Sequence, residues 1–290
     1  MPLILTSNAS SYIGNTILVI LVCGVLVLFV FYIKKVITSI LDGFEMLYAR
    51  FTKRPIFIHF YPFRRKLTAE QIKILKDNFA FYNRLDAKHQ RYFRHRMATF
   101  ILRKHFEGKD GFEITEEVKV LISATAIMLT FGFRNYTIPY IKNILVYPTQ
   151  YYSTANKIYH KGEYNARYET LVLSWDNFME GYRIDDDKVN LGIHEFTHAI
   201  HYNCMKQNDI NSIIFVDTFS ELREQLASNE QLKNDLVVSN FIRSYALTND
   251  SELLAVIVET FIEAPIEFSR LFPEVYAKLK QMLNFNFSGY

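Results

Sequence analysis

The sequence predicts an α+β fold, mostly helical, preceded by one transmembrane helix. An apolar N-terminal stretch, apolar residues spaced three and four apart through the body, and two short β-type runs support this prediction. The 290 residues suffice for one large domain with a substantial core. The predicted divisions are a short N-terminal tail (1–12), a transmembrane helix (13–35), a juxtamembrane linker (36–66) and a folded domain (67–290). The folded domain is expected to be helical over about 67–140 and to carry the candidate site over about 141–290.

The apolar segment Ile13–Ile33 contains no charged residue, and Lys34 and Lys35 follow it directly. As a helix it is long enough to cross a hydrocarbon core of about 30 Å. No basic residue precedes it, which argues against a cleaved signal peptide. The positive-inside rule therefore predicts a single-pass membrane protein with its N-terminus outside and residues after Lys34 in the cytoplasm. The alternative is a helix buried in a soluble core.

Aromatic and basic side chains are concentrated between Phe44 and Arg65. They suit either the headgroup layer of a membrane or contact with the folded domain. The net charge of +3 is weak and the main body lacks a dense basic patch, so no nucleic-acid partner is expected. Cys23 and Cys204 lie far apart in the chain, which favours reduced thiols over a disulfide framework.

Caps and apolar spacing predict the first helices of the folded domain. Thr68–Gln71 resembles a helix start, followed by an apolar stripe that reaches Tyr82. A second helix is expected over Ala87–Phe106, and Thr115 is expected to cap a third that reaches Leu129. Three histidines of this region are expected at the surface: His89, His95 and His105.

Two short apolar runs, Asn143–Val146 and Leu171–Ser174, are typical of β-strands. Gly181–Asp187 is expected to form a polar turn before the next helix. Together these runs predict a small sheet beside that helix.

That next helix carries the sequence His194-Glu195-Phe196-Thr197-His198, an HExxH motif with apolar flanks. Positions i and i+4 share one helix face, so both imidazoles can reach a single ion. A catalytic zinc has three protein ligands and an open position for water or substrate. Glu195 is placed to take a proton from that water. The motif therefore predicts a zinc hydrolase, and the alternative is a helix with two solvated histidines.

Three residues compete for the position of third zinc ligand. Glu252 and Glu259 lie seven apart on an apolar helix over Ser251–Ile262, where buried carboxylates need a metal or a strong donor. Glu252 is favoured, which leaves Glu259 to orient a ligand histidine. His201, only three residues after His198, would strain tetrahedral geometry and is expected to be structural or to lie behind the ligands.

The HExxH motif and the block Tyr245–Val256 together resemble the Mlc titration factor A family of zinc-dependent peptidases. The continuation Glu259–Pro265 and the triplet Leu271–Pro273 extend the resemblance, which covers about residues 67–282. It implies a gluzincin-like zinc metallopeptidase, distantly similar to the catalytic domain of anthrax lethal factor, that acts on peptides or proteins.

The resemblance also implies roles for individual residues. It places His194, His198 and Glu252 as ligands of Zn²⁺, Glu195 as general base and Tyr245 as stabiliser of the transition state. Two features depart from the family: His201 stands where an aspartate is usual, and the transmembrane segment is additional. The family's known partner is a glucose-responsive transcriptional repressor, which is a partner here by resemblance alone.

By analogy with gluzincins, the strand around Leu171–Ser174 is expected to pair with an extended substrate. The rival interpretation is a regulatory binding protein of the same fold that captures a protein partner such as a repressor. The intact HExxH motif favours the enzyme, because a structural zinc has no need of Glu195.

Overall fold

A computed structural model of the chain describes residues 3–153, 157–183, 189–243, 246–247 and 249–287, with side chains from Asn15 onward except those of Ser153 and Arg183. The chain divides into two compact units, Met1–Thr52 and Lys53–Tyr290. The first consists of one helix, α1 (Leu3–Thr52). An 18-residue window of its portion Asn15–Thr52 has a mean hydropathy of 3.1 and no buried residue, so by length and composition the helix can cross a membrane. Helical structure thus continues well beyond the predicted segment 13–35.

The second unit is mostly helical. Its described helices are α2 (Ala69–Asn78), α3 (Ala80–Arg84), α4 (Ala87–Arg103), α5 (Glu116–Leu129), α6 (Trp175–Arg183), α7 (Leu191–Lys206), α8 (Ile210–Ser228), α9 (Glu230–Val238), α10 (Asp250–Glu263), α11 (Pro265–Leu271) and α12 (Pro273–Met282). Thr68 and Gln71 form the reciprocal capping box expected before α2, and Thr115 caps α5 as expected. The predicted apolar stripe is interrupted at Phe79, whose extended backbone separates α2 from α3.

The described residues of this unit also form six short strands: β1 (His105–Gly108), β2 (Asn143–Tyr147), β3 (Tyr151–Ser153), β4 (Ile158–His160), β5 (Gly162–Asn165) and β6 (Thr170–Ser174). The main sheet has the order β1-β2-β6-β5, in which β5 alone runs antiparallel to its neighbour. Strands β3 and β4 form a separate antiparallel pair. The two predicted runs correspond to β2 and β6.

The position of β6 corrects the expected mode of substrate binding. Both of its edges are occupied, one by β2 and the other by β5, so Leu171–Ser174 has no free edge for a substrate. Among the described residues β5 pairs with β6 alone, which leaves Gly162–Asn165 as an edge strand. The sequence pattern did not predict β5, because its four residues are all half-buried and do not alternate between buried and exposed positions.

Two expectations for the α4 region are wrong. Helix α4 ends at Arg103 rather than Phe106, because Lys104 is extended and the next residues pair with β2 as strand β1. His95 is buried rather than at the surface, and its Nδ1 accepts a hydrogen bond from the backbone N–H of Arg65. The predicted polar turn lies only partly within the described residues: 181–183 belong to α6, and 184–187 fall outside them.

Helix α7 lies at the centre of the second unit. It packs against helices α5, α6, α8 and α10 and against strands β5 and β6. Its apolar residues Ile193, Phe196, Ala199 and Ile200 are buried in the common core. The two histidines of its HExxH motif lie on a different face from these residues, so helix packing directs them toward the edge strand and α10.

Candidate metal centre

The start of α7 is fixed by Asn190. Its side-chain oxygen accepts a hydrogen bond from the backbone N–H of Ile193 at 3.0 Å, which satisfies one free donor of the first turn. Its own backbone N–H donates to Glu259 Oε2 at 3.1 Å, and its side-chain amide donates to the carbonyl of Gly181 at 2.9 Å. Asn190 thereby joins the beginning of the HExxH helix to α6 and α10.

Three side chains present ligand atoms to one point in the cleft between α7 and α10. His194 Nε2 and His198 Nε2 lie 3.0 Å apart, and Glu252 places its carboxylate oxygens 3.3 Å from the first and 3.4 Å from the second. With metal–ligand bonds of about 2.0–2.1 Å, tetrahedral geometry separates neighbouring ligands by about 3.3 Å. The donor set and its spacing therefore fit a divalent ion such as zinc.

Glu252 reaches this point because of how α10 begins. Asn249 caps the helix by accepting a hydrogen bond from the backbone N–H of Ser251 at 2.8 Å. The residues of α10 from Leu253 to Ile262 are buried, so the helix has a fixed rotation about its axis. Glu252 lies in the first turn, with its side chain half-buried at the rim of the cleft.

A further layer of contacts holds the two imidazoles. Glu259, only 1% exposed, accepts a hydrogen bond from His194 Nδ1 through one oxygen, and through the other it accepts from Arg243 Nη2 at 2.9 Å. Because Nδ1 donates, Nε2 carries the lone pair that a metal requires. His198 Nδ1 lies 2.8 Å from Ser251 Oγ, which fixes the second ring in the same manner.

Electrostatics separate the roles of Glu195 and Glu252, two of the carboxyl groups that line the cleft. Burial raises the pKa of Glu195, and the nearby charges of His198 and His194 oppose that effect only in part. The hydrogen bond with His198 lowers the pKa of Glu252, although partial burial acts in the opposite sense. Glu252 is therefore the ionised, acceptor-only group, whereas Glu195 is the stronger base for an arriving proton.

The charge of Glu259 also acts on His194. Burial alone lowers the pKa of this imidazole, but the hydrogen bond to Glu259 and its negative charge, together with the charges of Glu195 and Glu252, outweigh burial and leave the pKa raised. The Glu259 contact thus increases the basicity of His194, which strengthens it as a ligand for a cation.

Glu195 lies beside the edge strand β5. The residue is 7% exposed, and its carboxyl group accepts a hydrogen bond from the backbone N–H of Tyr164. Gly162 lies directly against the Glu195 side chain, and a larger residue there would collide with it. The strand, the base and the three candidate ligands line one cleft of about 390 Å³.

The structure brings together most of the residues predicted from the sequence. His194, His198 and Glu252 form a group with metal-ligand spacing, and Glu195 lines the same cleft. His201 is not part of that group, since its ring packs on Phe219 with the centroids 5.2 Å apart. Tyr245 lies outside the described residues. The binding and catalytic roles of these residues stay predictions.

Sequence reasoning missed three residues that support the site: Asn190, Arg243 and Ser251. An asparagine four residues before the first histidine is a recognisable N-cap signal. Arg243 and Ser251 carry no comparable signal. Ser251 contacts His198 only when α10 packs beside α7, and Arg243 reaches Glu259 across 16 residues of chain.

Comparison with known proteins is consistent with this geometry. Residues 61–284, most of the chain, match the family model described as glucose-regulated metallo-peptidase M90. The chain belongs to this metallopeptidase family. The match confirms the resemblance drawn from the HExxH motif and the Tyr245–Val256 block. The chain is also 25% identical over 241 residues to an uncharacterized protein of Synechocystis sp.. The aligned region covers 76% of this chain and 85% of that protein.

Family membership agrees with the donor set in the cleft. A metallopeptidase requires a metal ion, and two histidines with one glutamate are a common catalytic set for zinc. The family match begins at residue 61, after the end of α1, so the apolar N-terminal helix is additional to the matched region.

Proposed function

We propose that the protein is a membrane-anchored zinc peptidase of gluzincin type. The observation that carries this proposal is the convergence of His194, His198 and Glu252 in one cleft, with Glu195 beside them, in a chain of a metallopeptidase family. Two imidazoles and one carboxylate leave a fourth position open, as hydrolytic zinc sites require.

In this proposal His194, His198 and Glu252 hold the ion. When bound, zinc supplies Lewis-acid chemistry, which polarises the scissile carbonyl and makes a water molecule more acidic. Glu259 and Ser251 keep the two imidazoles in place, so the ligand atoms stay converged before substrate arrives.

Glu195 performs the proton transfers. Its raised pKa makes the carboxylate a base of useful strength, and it accepts the proton of the attacking water. The same group then passes the proton to the leaving amine, so the peptide bond breaks with no net change at Glu195. Family resemblance assigns Tyr245 to hydrogen-bond the developing oxyanion.

The edge strand β5 is the proposed platform for substrate. The backbone of Lys161 accepts from Ser174 on β6, so by the alternation of strands the backbone groups of Gly162 and Tyr164 point to the free edge, where the Tyr164 N–H donates to Glu195. An extended peptide that adds to this edge runs over Glu195. Tyr164, Tyr202 and Met205 line the same cleft and provide apolar contact for its side chains.

Metal-dependent hydrolysis distinguishes the peptidase from a regulatory binding protein that captures a partner such as a repressor. We expect the purified full chain to cleave members of a generic quenched-fluorescence peptide library. A strong chelator should abolish cleavage, and zinc should restore it. A zinc-loaded, folded protein that cleaves no peptide, yet binds a protein partner with or without zinc, would favour the binding protein.

The apolar helix α1 is the proposed anchor. Lys34 and Lys35 lie on the C-terminal side of its most apolar part, so the positive-inside rule places the N-terminus outside and the peptidase domain in the cytoplasm. Protease added to intact cells should spare a C-terminal tag, and protease added to inverted vesicles should remove it. Loss of the tag in intact cells would reverse the orientation.

A further inference from the structure

The segment 54–66, which follows helix α1 in the chain, exposes several large apolar side chains. Ile56, Phe57, Phe60 and Phe63 are exposed by 59, 47, 75 and 91%. Large apolar residues occur singly on most protein surfaces, whereas a group of them within one short segment marks a contact surface.

Side chains of the same segment that face the domain hold it in place. The ring of His59 stacks on Tyr92 with the centroids 4.7 Å apart. The hydroxyl of Tyr61 accepts a hydrogen bond from the fully buried guanidinium of Arg96. Arg96 also donates to the carbonyls of Thr130, Phe131 and Phe133, so Tyr61 is joined to a rigid part of the core.

Backbone contacts reinforce this attachment near both ends of the segment. Arg134 Nη2 donates to the carbonyl of Phe57 at 3.1 Å, and its guanidinium lies 3.7 Å from the centre of the Phe57 ring. At the other end the backbone N–H of Arg65 donates to His95. The segment therefore adopts a defined conformation, and its outward apolar residues are presented by the fold.

The charge of the segment indicates what these apolar residues contact. Residues 53–66 contain five basic side chains and no acidic one. Lys53 pairs with Glu221 at 3.2 Å, whereas Arg64, Arg65 and Lys66 are exposed. Aromatic rings interspersed with cations match the headgroup layer of a bilayer that contains anionic lipid.

Chain connectivity favours a bilayer over a protein partner. Helix α1 ends at Thr52, so the segment begins within a few residues of a helix that is apolar enough to cross a membrane. We propose that residues 54–66 form a docking surface for anionic lipid, with Phe60 and Phe63 inserted among the headgroups. This proposal is independent of the peptidase assignment.

A fluorescent label tests the proposal in the full chain. Phe63→Cys, in a Cys23→Ser background, receives an environment-sensitive fluorophore, because the remaining Cys204 is buried. The labelled protein is reconstituted into nanodiscs of phosphatidylcholine, with or without phosphatidylserine. The matched control carries the label at Ile266, which is 84% exposed on α11.

We expect the Phe63 label to shift to shorter wavelength and to resist quenching by iodide in the anionic nanodiscs, while the Ile266 label stays open to iodide. Replacing Arg64, Arg65 and Lys66 by glutamine should lower the ratio of docked to undocked protein by about 100-fold, since each base near an anionic surface contributes about fivefold. Equal quenching at the two positions would overturn the proposal. Protection that persists without anionic lipid would also overturn it, and would point to a neutral bilayer or a second copy of the chain.

Discussion

A methyl group at position 162 should displace the proposed general base while leaving the metal site intact. In Gly162→Ala, the new Cβ would lie 2.9 Å from Glu195 Cγ and 2.8 Å from Leu191 Cδ1. Carbon atoms in ordinary contact lie about 3.5–4.0 Å apart, so the neighbours must withdraw by about 0.6–1.2 Å. The Leu191 methyl can rotate away, whereas Glu195 is confined by burial and must shift as a whole.

The size of this shift sets the expected loss of activity. A misplacement of about 1 Å in a catalytic group costs up to about 100-fold in rate, so we expect kcat to fall by about 10- to 100-fold. Zinc affinity should stay within about threefold of wild type, because the three atoms nearest the new Cβ belong to Leu191 and Glu195 and not to a proposed ligand. Steady-state peptide hydrolysis and a zinc competition titration measure the two quantities separately.

A second variant in the same strand provides the control. Asn165→Ala removes a side chain whose described hydrogen bonds are local, to Glu163 and to the backbone of Tyr168, and it should leave kcat within a few-fold of wild type. If Gly162→Ala keeps wild-type kcat with zinc bound, the reasoning that places Glu195 at the reacting water is wrong. Loss of zinc together with activity would show that the substitution disturbs the fold.

Three further outcomes are expected. Glu259→Gln should weaken zinc binding by about 10- to 100-fold in a chelator competition, because it removes the charged partner of His194. An unchanged zinc affinity would show that Glu259 does not support His194 as a ligand. After dialysis, Glu252→Ala should lose zinc as fully as His194→Ala. Full zinc occupancy in Glu252→Ala would mean that another residue is the third ligand. Burial and the charge of Arg96 lower the pKa of His59 to about 2, so folding opposes its protonation and stability falls as the pH drops below about 6.5. Between pH 7.5 and 5, the free energy of unfolding of His59→Phe should therefore fall by about 2 kcal/mol less than that of the wild type, as measured by urea unfolding. An equal fall in the two proteins would refute this.

Local signals in the sequence predicted the helices α2, α4, α5, α7 and α10, whereas α8, the longest described helix of the second unit, was not predicted. Thr68 and Thr115 cap helices where expected, and the apolar spacing of α7 and α10 placed both in the core. The strands β1 and β5 could not be predicted, because neither has a buried residue that would mark an apolar pattern. Their stability comes from pairing with β2 and β6. The length of α1 was underestimated because helical structure does not stop where the apolar composition ends.

The candidate site shows the same division between local and distant information. The spacing of His194 and His198 follows from one turn of helix and is visible in the sequence. The choice among Glu252, Glu259 and His201 depends on how α10 packs beside α7, which no local pattern specifies. The distances favour Glu252 as the ligand, and they place Glu259 behind His194.

The most direct test of the zinc peptidase is a titration of metal-free protein with zinc, in which bound metal and peptide hydrolysis are followed together. For the wild type, activity should rise in proportion to bound zinc and stop at about one ion per chain, the occupancy of a single three-ligand site. Glu195→Gln should bind the same amount of zinc with little hydrolysis, because an amide cannot accept the proton. Hydrolysis by the metal-free protein, or near wild-type turnover by zinc-loaded Glu195→Gln, would contradict the proposed mechanism.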